Sequence, residues 1–163
     1  MEDNAFIIEN WNEFSEKFAS MVNNWEEEKR NLLNRIASIL EEKIKPEIPV
    51  DTSTLAESFF PYVSVGGADD YASYSTNLEY ALYVNDGHVQ HSRAVPVKYL
   101  SAGGKKKGYR TVKGKHGKKY IILSERYIPG KHFIEKGSQN AKSKIQKTAD
   151  NWMKSLFIKY GLK

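Results

Sequence analysis

The stretch that decides the fold is WNEFSEKFASMVNNWEEEKRNLLNRIASILEEKIKP, residues 11–46. Trp11, Phe14, Phe18, Val22, Trp25, Leu32, Ile36, Ile39, Leu40 and Ile44 recur at steps of three and four, with Leu33 beside them. That spacing predicts an amphipathic helix with one apolar stripe. Asn10 followed by Glu13 has the spacing of a capping pair, and Pro46 ends the helix because its ring disfavours helical geometry at Lys45. A helix from Trp11 to Lys45 spans roughly 50 Å at 1.5 Å per residue. A compact chain of 163 residues does not need that length, so one end is expected to project or to pack on a neighbour.

Beyond this helix the signals shorten. Pro46 to Pro49 makes a stiff connection, and Thr54 with Glu57 has capping-box spacing, so a helical turn is expected there. Residues 58–65 read as a strand that Pro61 confines to an edge. Gly66 to Asp70 is a turn cluster, and Tyr71 to Ser75 a second short strand. The run Glu79 to Gly87 reads as an apolar strand closed by a turn. Arg93 to Leu100 and Tyr120 to Leu123 read as a strand pair joined by a long hairpin loop. The loop, residues 103–119, holds eight Lys and Arg, five Gly and no acid, a composition that cannot bury a core. His132 to about Tyr160 gives a second helical stripe, entered at Pro129-Gly130. Gly137 weakens it by about 1 kcal/mol relative to Ala unless a backbone packs close there. The expected fold is α+β, one domain over residues 1–163. It has a long helix at 10–45, a small, mainly antiparallel sheet region at 50–128 carrying the basic hairpin loop, and a C-terminal helix at 130–160.

The chain carries no cysteine, which excludes disulfide frameworks, Cys-ligated zinc, iron–sulfur clusters and thiol catalysis. Its acidic start predicts no secretory signal, and no apolar run is long enough to span a membrane. The net charge of +5 hides a polarity. Residues 1–102 hold 17 acids and 8 bases, hence −9, whereas residues 103–163 hold 3 acids and 17 bases, hence +14. A basic region of this kind can meet nucleic acid, an anionic membrane or the acidic part of another protein, including another copy of the same chain. Head-to-tail rings bring two different patches of identical subunits together, and an acid-then-base polarity suits them.

Chemistry is sparse. His88 and His91, with Asp86 nearby, have no second carboxylate cluster or HExxH pattern to support a metal site; a surface turn is the simpler reading, and no metal or cofactor is expected. Gly103 and Gly108 have the glycine spacing of a phosphate loop, but Tyr109 and Arg110 stand where Lys and Ser/Thr are required. Asp69 and Asp70 are adjacent in a turn, and no Gly-x-Ser-x-Gly elbow occurs. No enzyme is expected. In the basic loop, Lys105, Lys106, Lys107, Arg110, Lys113, Lys115, Lys118 and Lys119 can neutralise phosphates without reading sequence. Tyr109, Tyr120 and His116 are placed to stack on bases.

Three segments, in order, carry a resemblance: Val50-Asp51-Thr52-Ser53-Thr54-Leu55-Ala56-Glu57-Ser58 after the long helix, Tyr80-Ala81-Leu82-Tyr83-Val84-Asn85-Asp86-Gly87-His88, and Pro129-Gly130-Lys131-His132-Phe133-Ile134 at the last helix. Together they resemble the tail-completion (neck, or head–tail joining) proteins of long-tailed bacteriophages and related particles. Ser53 stands where that pattern has Gly, and Asn85-Asp86 where it has Glu-x. The resemblance implies a non-catalytic virion protein in the tail or neck, assembled in the bacterial cytoplasm. It also implies a homo-oligomeric ring, commonly six subunits, that meets the tail tube or connector–stopper proteins, with either DNA passing through the lumen or the ring capping the tube as a docking surface, and no membrane partner. Asp51, Thr52, Tyr80, Tyr83, Asp86 and Gly87 form the expected assembly corner, and the 103–119 loop the expected contact with a neighbour or with DNA. The alternative reading is a basic nucleic-acid-binding module without catalytic activity.

Overall fold

A computed structural model describes residues 10–49, 53–96, 111–113 and 118–162. Its elements are α1 (Trp11–Asn23), α2 (Trp25–Ile44), a 3-10 turn (Lys45–Glu47), α3 (Ser53–Glu57), β1 (Phe60–Ser64), β2 (Tyr71–Ser75), α4 (Tyr80–Asp86), β3 (Gly87–Gln90), β4 (Arg93–Pro96), β5 (Thr111–Lys113), β6 (Lys119–Leu123), β7 (Arg126–Pro129) and α5 (Phe133–Lys159). The fold is α+β, with small antiparallel sheets and the two long helices α2 and α5. The strands make three separate sheets, ordered β1-β2, β3-β7 and β4-β6-β5. The chain divides into two compact units, residues 1–78 with 133–163, and residues 79–132.

In the first unit α2 packs along α5 and against the β1–β2 hairpin. Ile44, Ile48, Phe59, Tyr74 and Phe133 are buried. The Phe59 ring lies 5.4 Å from that of Tyr74 and meets Phe133 edge-on at 5.9 Å, a geometry favoured by the ring quadrupoles. A second cluster joins Met21, Trp152 and Leu156, flanked by Trp25 and Leu32, with Trp25 and Trp152 5.8 Å apart. Gly137 explains itself here. A Cβ at that position would stand 2.6 Å from the Ile44 Cα and 2.9 Å from the Lys43 carbonyl oxygen, so α2 and α5 meet backbone to backbone. The hairpin turn is fixed by the Gly66 N–H, which donates to Asp70 Oδ1 at 2.9 Å with Gly66 at φ 84°. Asp70 is also paired with Lys29 of α2, and that ammonium holds its carboxyl below the usual range.

Several expectations are corrected. The single helix over 11–45 is two helices, because Asn24 leaves helical geometry (φ −98°, ψ 7°) and its side-chain amide donates to the Ser20 carbonyl at 2.8 Å. Short amide side chains compete in this way for backbone groups. Asn10 does not cap α1: it is left-handed at φ 68° with no side-chain cap bond, and Glu13 pairs with Lys17 instead. Thr54 lies inside the first turn of α3 rather than at its cap. Pro61 does sit on an edge strand, since β1 pairs with β2 alone.

In the second unit, β3 pairs with β7 from Gly87↔Pro129 to Gln90↔Arg126. β4 pairs with β6 from Arg93↔Leu123 to Pro96↔Tyr120, as the sequence predicts. Within the expected hairpin loop, residues 111–113 form β5, which adds to the other edge of β6, with Val112 opposite Tyr120 and Lys113 opposite Lys119. The run 80–86 is a helix and not a strand. Its buried residues, Ala81 and Asn85, are four apart, while Tyr80, Leu82 and Tyr83 face outward.

Candidate assembly surfaces

The corner after α4 is built from backbone. Gly87 ends the helix with its N–H donating to the Tyr83 carbonyl and turns the chain at φ 87°, a conformation that favours glycine. At the helix end the carbonyls of Val84 and Asn85 accept the N–H groups of Lys131 and His132, each at 2.9 Å. These bonds pair carbonyls of the last helical turn with the opposing segment. The Tyr127 hydroxyl donates to the Asp86 carbonyl at 3.1 Å, and the Asn85 amide donates to Asp86 Oδ1 at 2.6 Å. A Cβ on Gly87 would fall 2.6 Å from the Ile128 carbonyl oxygen and 2.7 Å from the Gly130 nitrogen. A Cβ on Gly130 would run into the Asn85 carbonyl oxygen and lie 2.7 Å from the Gly87 nitrogen. Two chain segments therefore touch at a pair of glycines.

Of the expected corner residues, Tyr80, Tyr83, Asp86 and Gly87 come together on α4 and its cap. Tyr83 donates to Glu79 at 3.2 Å and meets the His88 ring edge-on at 5.8 Å. Asp51 and Thr52 lie outside the described residues. Sequence reasoning missed Asn85, Tyr127 and Gly130. The Pro129-Gly130 dipeptide was the available signal, and it reads only as a helix entry until the opposing backbone is known.

Among the basic residues, Lys113, Lys118 and Lys119 are described and exposed, and Lys105, Lys106, Lys107, Arg110 and Lys115 lie outside the described residues. Lys113 and Lys119 face each other across the β5–β6 ladder, a like-charge arrangement that disfavours the pairing until an anion approaches. The two pleats of this sheet differ. Ile121 is buried on one, whereas Ala94, Val112 and Ile122 are exposed on the other, beside the half-buried Tyr120.

A second apolar face lies on α1. Trp11, Phe14, Phe18 and Val22 are 45–56% exposed, although their rings run in sequence, Trp11 5.9 Å from Phe14 and Phe14 6.1 Å from Phe18. Only Met21 of this helix is buried. A row of large apolar side chains left in water marks an interaction surface.

The polar groove between α2 and α5 is lined by Glu28, Asn31, Arg35, Trp152, Ser155 and Lys159. Buried Glu28 pairs with Lys159 and accepts from the Tyr160 hydroxyl at 3.1 Å. The Lys159 bond holds the Glu28 carboxyl below the usual carboxylate range, opposed by burial and helped by Tyr160. The carboxylate in turn raises the Lys159 ammonium, and burial raises the Tyr160 phenol. The Glu28–Lys159 pair and the Tyr160 hydroxyl thus tie α2 to the end of α5. Among the described residues, no helix is long and apolar enough to cross a membrane.

Residues 12–87 match the family model described as "Bacteriophage HK97-gp10, putative tail-component". No curated protein and no solved structure matches the chain. The matched stretch runs from α1 to Gly87 and so ends at the glycine of the corner.

Proposed function

We propose, from the match of residues 12–87 to the HK97-gp10-like tail-component model, that the chain belongs to that family and forms a closed ring at the head–tail junction, as a tail-completion, terminator or neck protein. The observation that carries the reading is the match itself, which takes in α1, α2, the β1–β2 hairpin and α4. Two further features support it. Large apolar side chains are exposed on both compact units, a pattern natural for a subunit and costly for a free monomer. The features that order the chain are backbone crossings and helix packing, and catalysis needs neither.

The ring is built of one kind of subunit and meets the tail tube or the connector–stopper proteins on its faces. No catalytic step and no cofactor enters this role. The experiment is native mass spectrometry of the purified chain at low and high salt, with and without duplex DNA. Discrete closed multimers are expected, six subunits first among them. A chain that stays monomeric at every concentration, and also when mixed with tail tubes, overturns the ring.

The charge of residues 79–132, 3 acids against 12 bases and hence +9, favours a second role beside the first, in which this unit contacts DNA in the lumen. Phosphate contacts release counterions, so binding should fall linearly on a log–log plot against salt. A flat salt dependence removes the DNA role and leaves the ring untouched.

A further inference from the structure

Charge recurs at seven-residue intervals along the side of α2 that meets α5: Glu28, Arg35 and Glu42. Seven residues return a helix to within about 20° of the same face. The two helices run antiparallel there, since Glu28 pairs with Lys159 and Glu42 with Lys144. That register brings Arg35, midway between the two acids, level with Trp152, and both residues line the groove between the helices. The two outer levels are closed ion pairs. The middle one is open: Arg35 has no ion pair, hydrogen bond or ring contact among the described residues, and a neutral indole stands where an acid would answer it.

The groove has more donors than acceptors at this level. A guanidinium carries five N–H donors and no acceptor, and an indole one donor. Trp152 is only 8% exposed, and its Nε1 is buried without a hydrogen-bond partner among the described residues, a state that costs free energy until an acceptor arrives. Asn31, one turn before Arg35 on the same wall, adds a side-chain amide. Ser155 already donates to the Trp152 carbonyl at 2.8 Å. The acid in the groove, Glu28, lies seven residues and so roughly 10 Å along the axis from Arg35, and it is occupied by Lys159 and Tyr160. The groove holds about 530 Å³, within the range of sites that take small ligands.

Charge sets the class of ligand. One unanswered guanidinium matches one negative charge, and its planar fork fits the two oxygens of a carboxylate. Glu28 and Glu42, one level to either side, disfavour a dianion or a polyanion. We propose that the α2–α5 groove binds a carboxylate, seated on Arg35 with the Asn31 amide beside it. This site goes beyond the ring reading and stands whether or not the chain closes a ring. The carboxylate can belong to a free small molecule or to an acidic side chain of another protein, and titration separates the two.

The full-length chain is labelled with 5-fluorotryptophan, so that three fluorine resonances report its three tryptophans, and W152F assigns that of Trp152. Acetate and a glutamate-centred tripeptide blocked at both ends are titrated at constant ionic strength, beside the glutamine counterpart of the peptide and inorganic phosphate. The Trp152 resonance is expected to move saturably with a carboxylate and to stay in place with the glutamine peptide. Tighter binding of acetate assigns the site to a free carboxylate, and tighter binding of the acidic peptide to a protein side chain. Arg35→Gln should raise the midpoint about tenfold, the scale of one charge-assisted contact, with helical circular dichroism unchanged. Arg35→Lys, which keeps the charge and loses the fork, should fall between the two. A shift that never saturates, an equal shift with the glutamine peptide, or midpoints in both variants equal to that of the parent overturn the site. Phosphate binding tighter than either carboxylate overturns the assignment of the ligand.

Discussion

The two compact units are held by different means. Among the described residues, the unit containing α2 and α5 buries twelve apolar side chains, whereas the unit of residues 79–132 buries two, Ala81 and Ile121. The first is a packed core with rings in contact. The second depends on backbone: strand ladders, the Val84 and Asn85 carbonyls bonded to Lys131 and His132, and two glycines that let one segment touch another. Side-chain cores fail by cavity, and backbone crossings fail by the addition of a single methyl group. The comparison also divides the surface. A unit with little interior has more of its apolar residues left to offer outward, as Val112, Ile122 and Tyr127 are.

The largest effect should come from the packed unit. Phe133 is 1% exposed and meets Phe59, so Phe133→Ala should cost about 3–5 kcal/mol in urea unfolding. A loss below about 1 kcal/mol would mean that the site collapses and that this core is not tightly packed. Next comes the backbone-held unit. Gly87→Ala forces a side chain at φ 87° onto the Ile128 carbonyl, at a cost of about 2 kcal/mol. Hydrogen exchange should report it as lost protection at the Lys131 and His132 amides; unchanged protection breaks the account of the corner.

A smaller effect tests the polar groove. Glu28→Gln should cost about 1 kcal/mol at neutral pH, the scale of a net buried hydrogen bond, with the exposed Lys159 contributing little. The folded-state pKa of Glu28 lies below its ordinary value. Its contribution is therefore complete above the ordinary carboxylate range and is lost as pH falls through the depressed folded value. The variant should show a shallower acid limb in a stability–pH curve, and identical limbs would remove the pairing from the ledger of that unit. The smallest is Tyr127→Phe, which deletes one hydrogen bond to the Asp86 carbonyl for about 0.5–1 kcal/mol. Its trace should appear in exchange at the corner before it appears in the melt.

The legible parts of the fold were those whose signal is local and repeated. The 60–64 and 71–75 hairpin, the 93–96 pairing with 119–123 and the helix from Phe133 all follow from alternation or period-three-and-four spacing. Gly137 was legible as a conditional, and the Ile44 backbone supplies the condition. The resemblance to phage tail components was read from three short motifs, and the matched stretch takes in the first and, but for His88, the second. What failed was decided elsewhere in the chain. Tyr80 to Asp86 has aromatic and branched residues in strand-like company, yet a seven-residue helix is stabilised there by bonds from residues 131 and 132, nearly fifty positions on. The break at Asn24 turns on one side-chain bond to Ser20, and β5 is three residues whose strand character comes from β6. For the site, sequence reasoning found the glycine that turns the corner and missed the glycine that faces it.

The contact at Gly137 has a mechanical meaning. Helices separated by side chains can slide, because rotamers yield and re-form as one axis shifts past the other. Where Gly137 lets α5 come up to the Ile44 Cα and the Lys43 carbonyl, with only the Ile44 Cγ1 beside them, that compliance is small and the joint works as a hard fulcrum. A push delivered along one long helix is then passed to the other rather than absorbed.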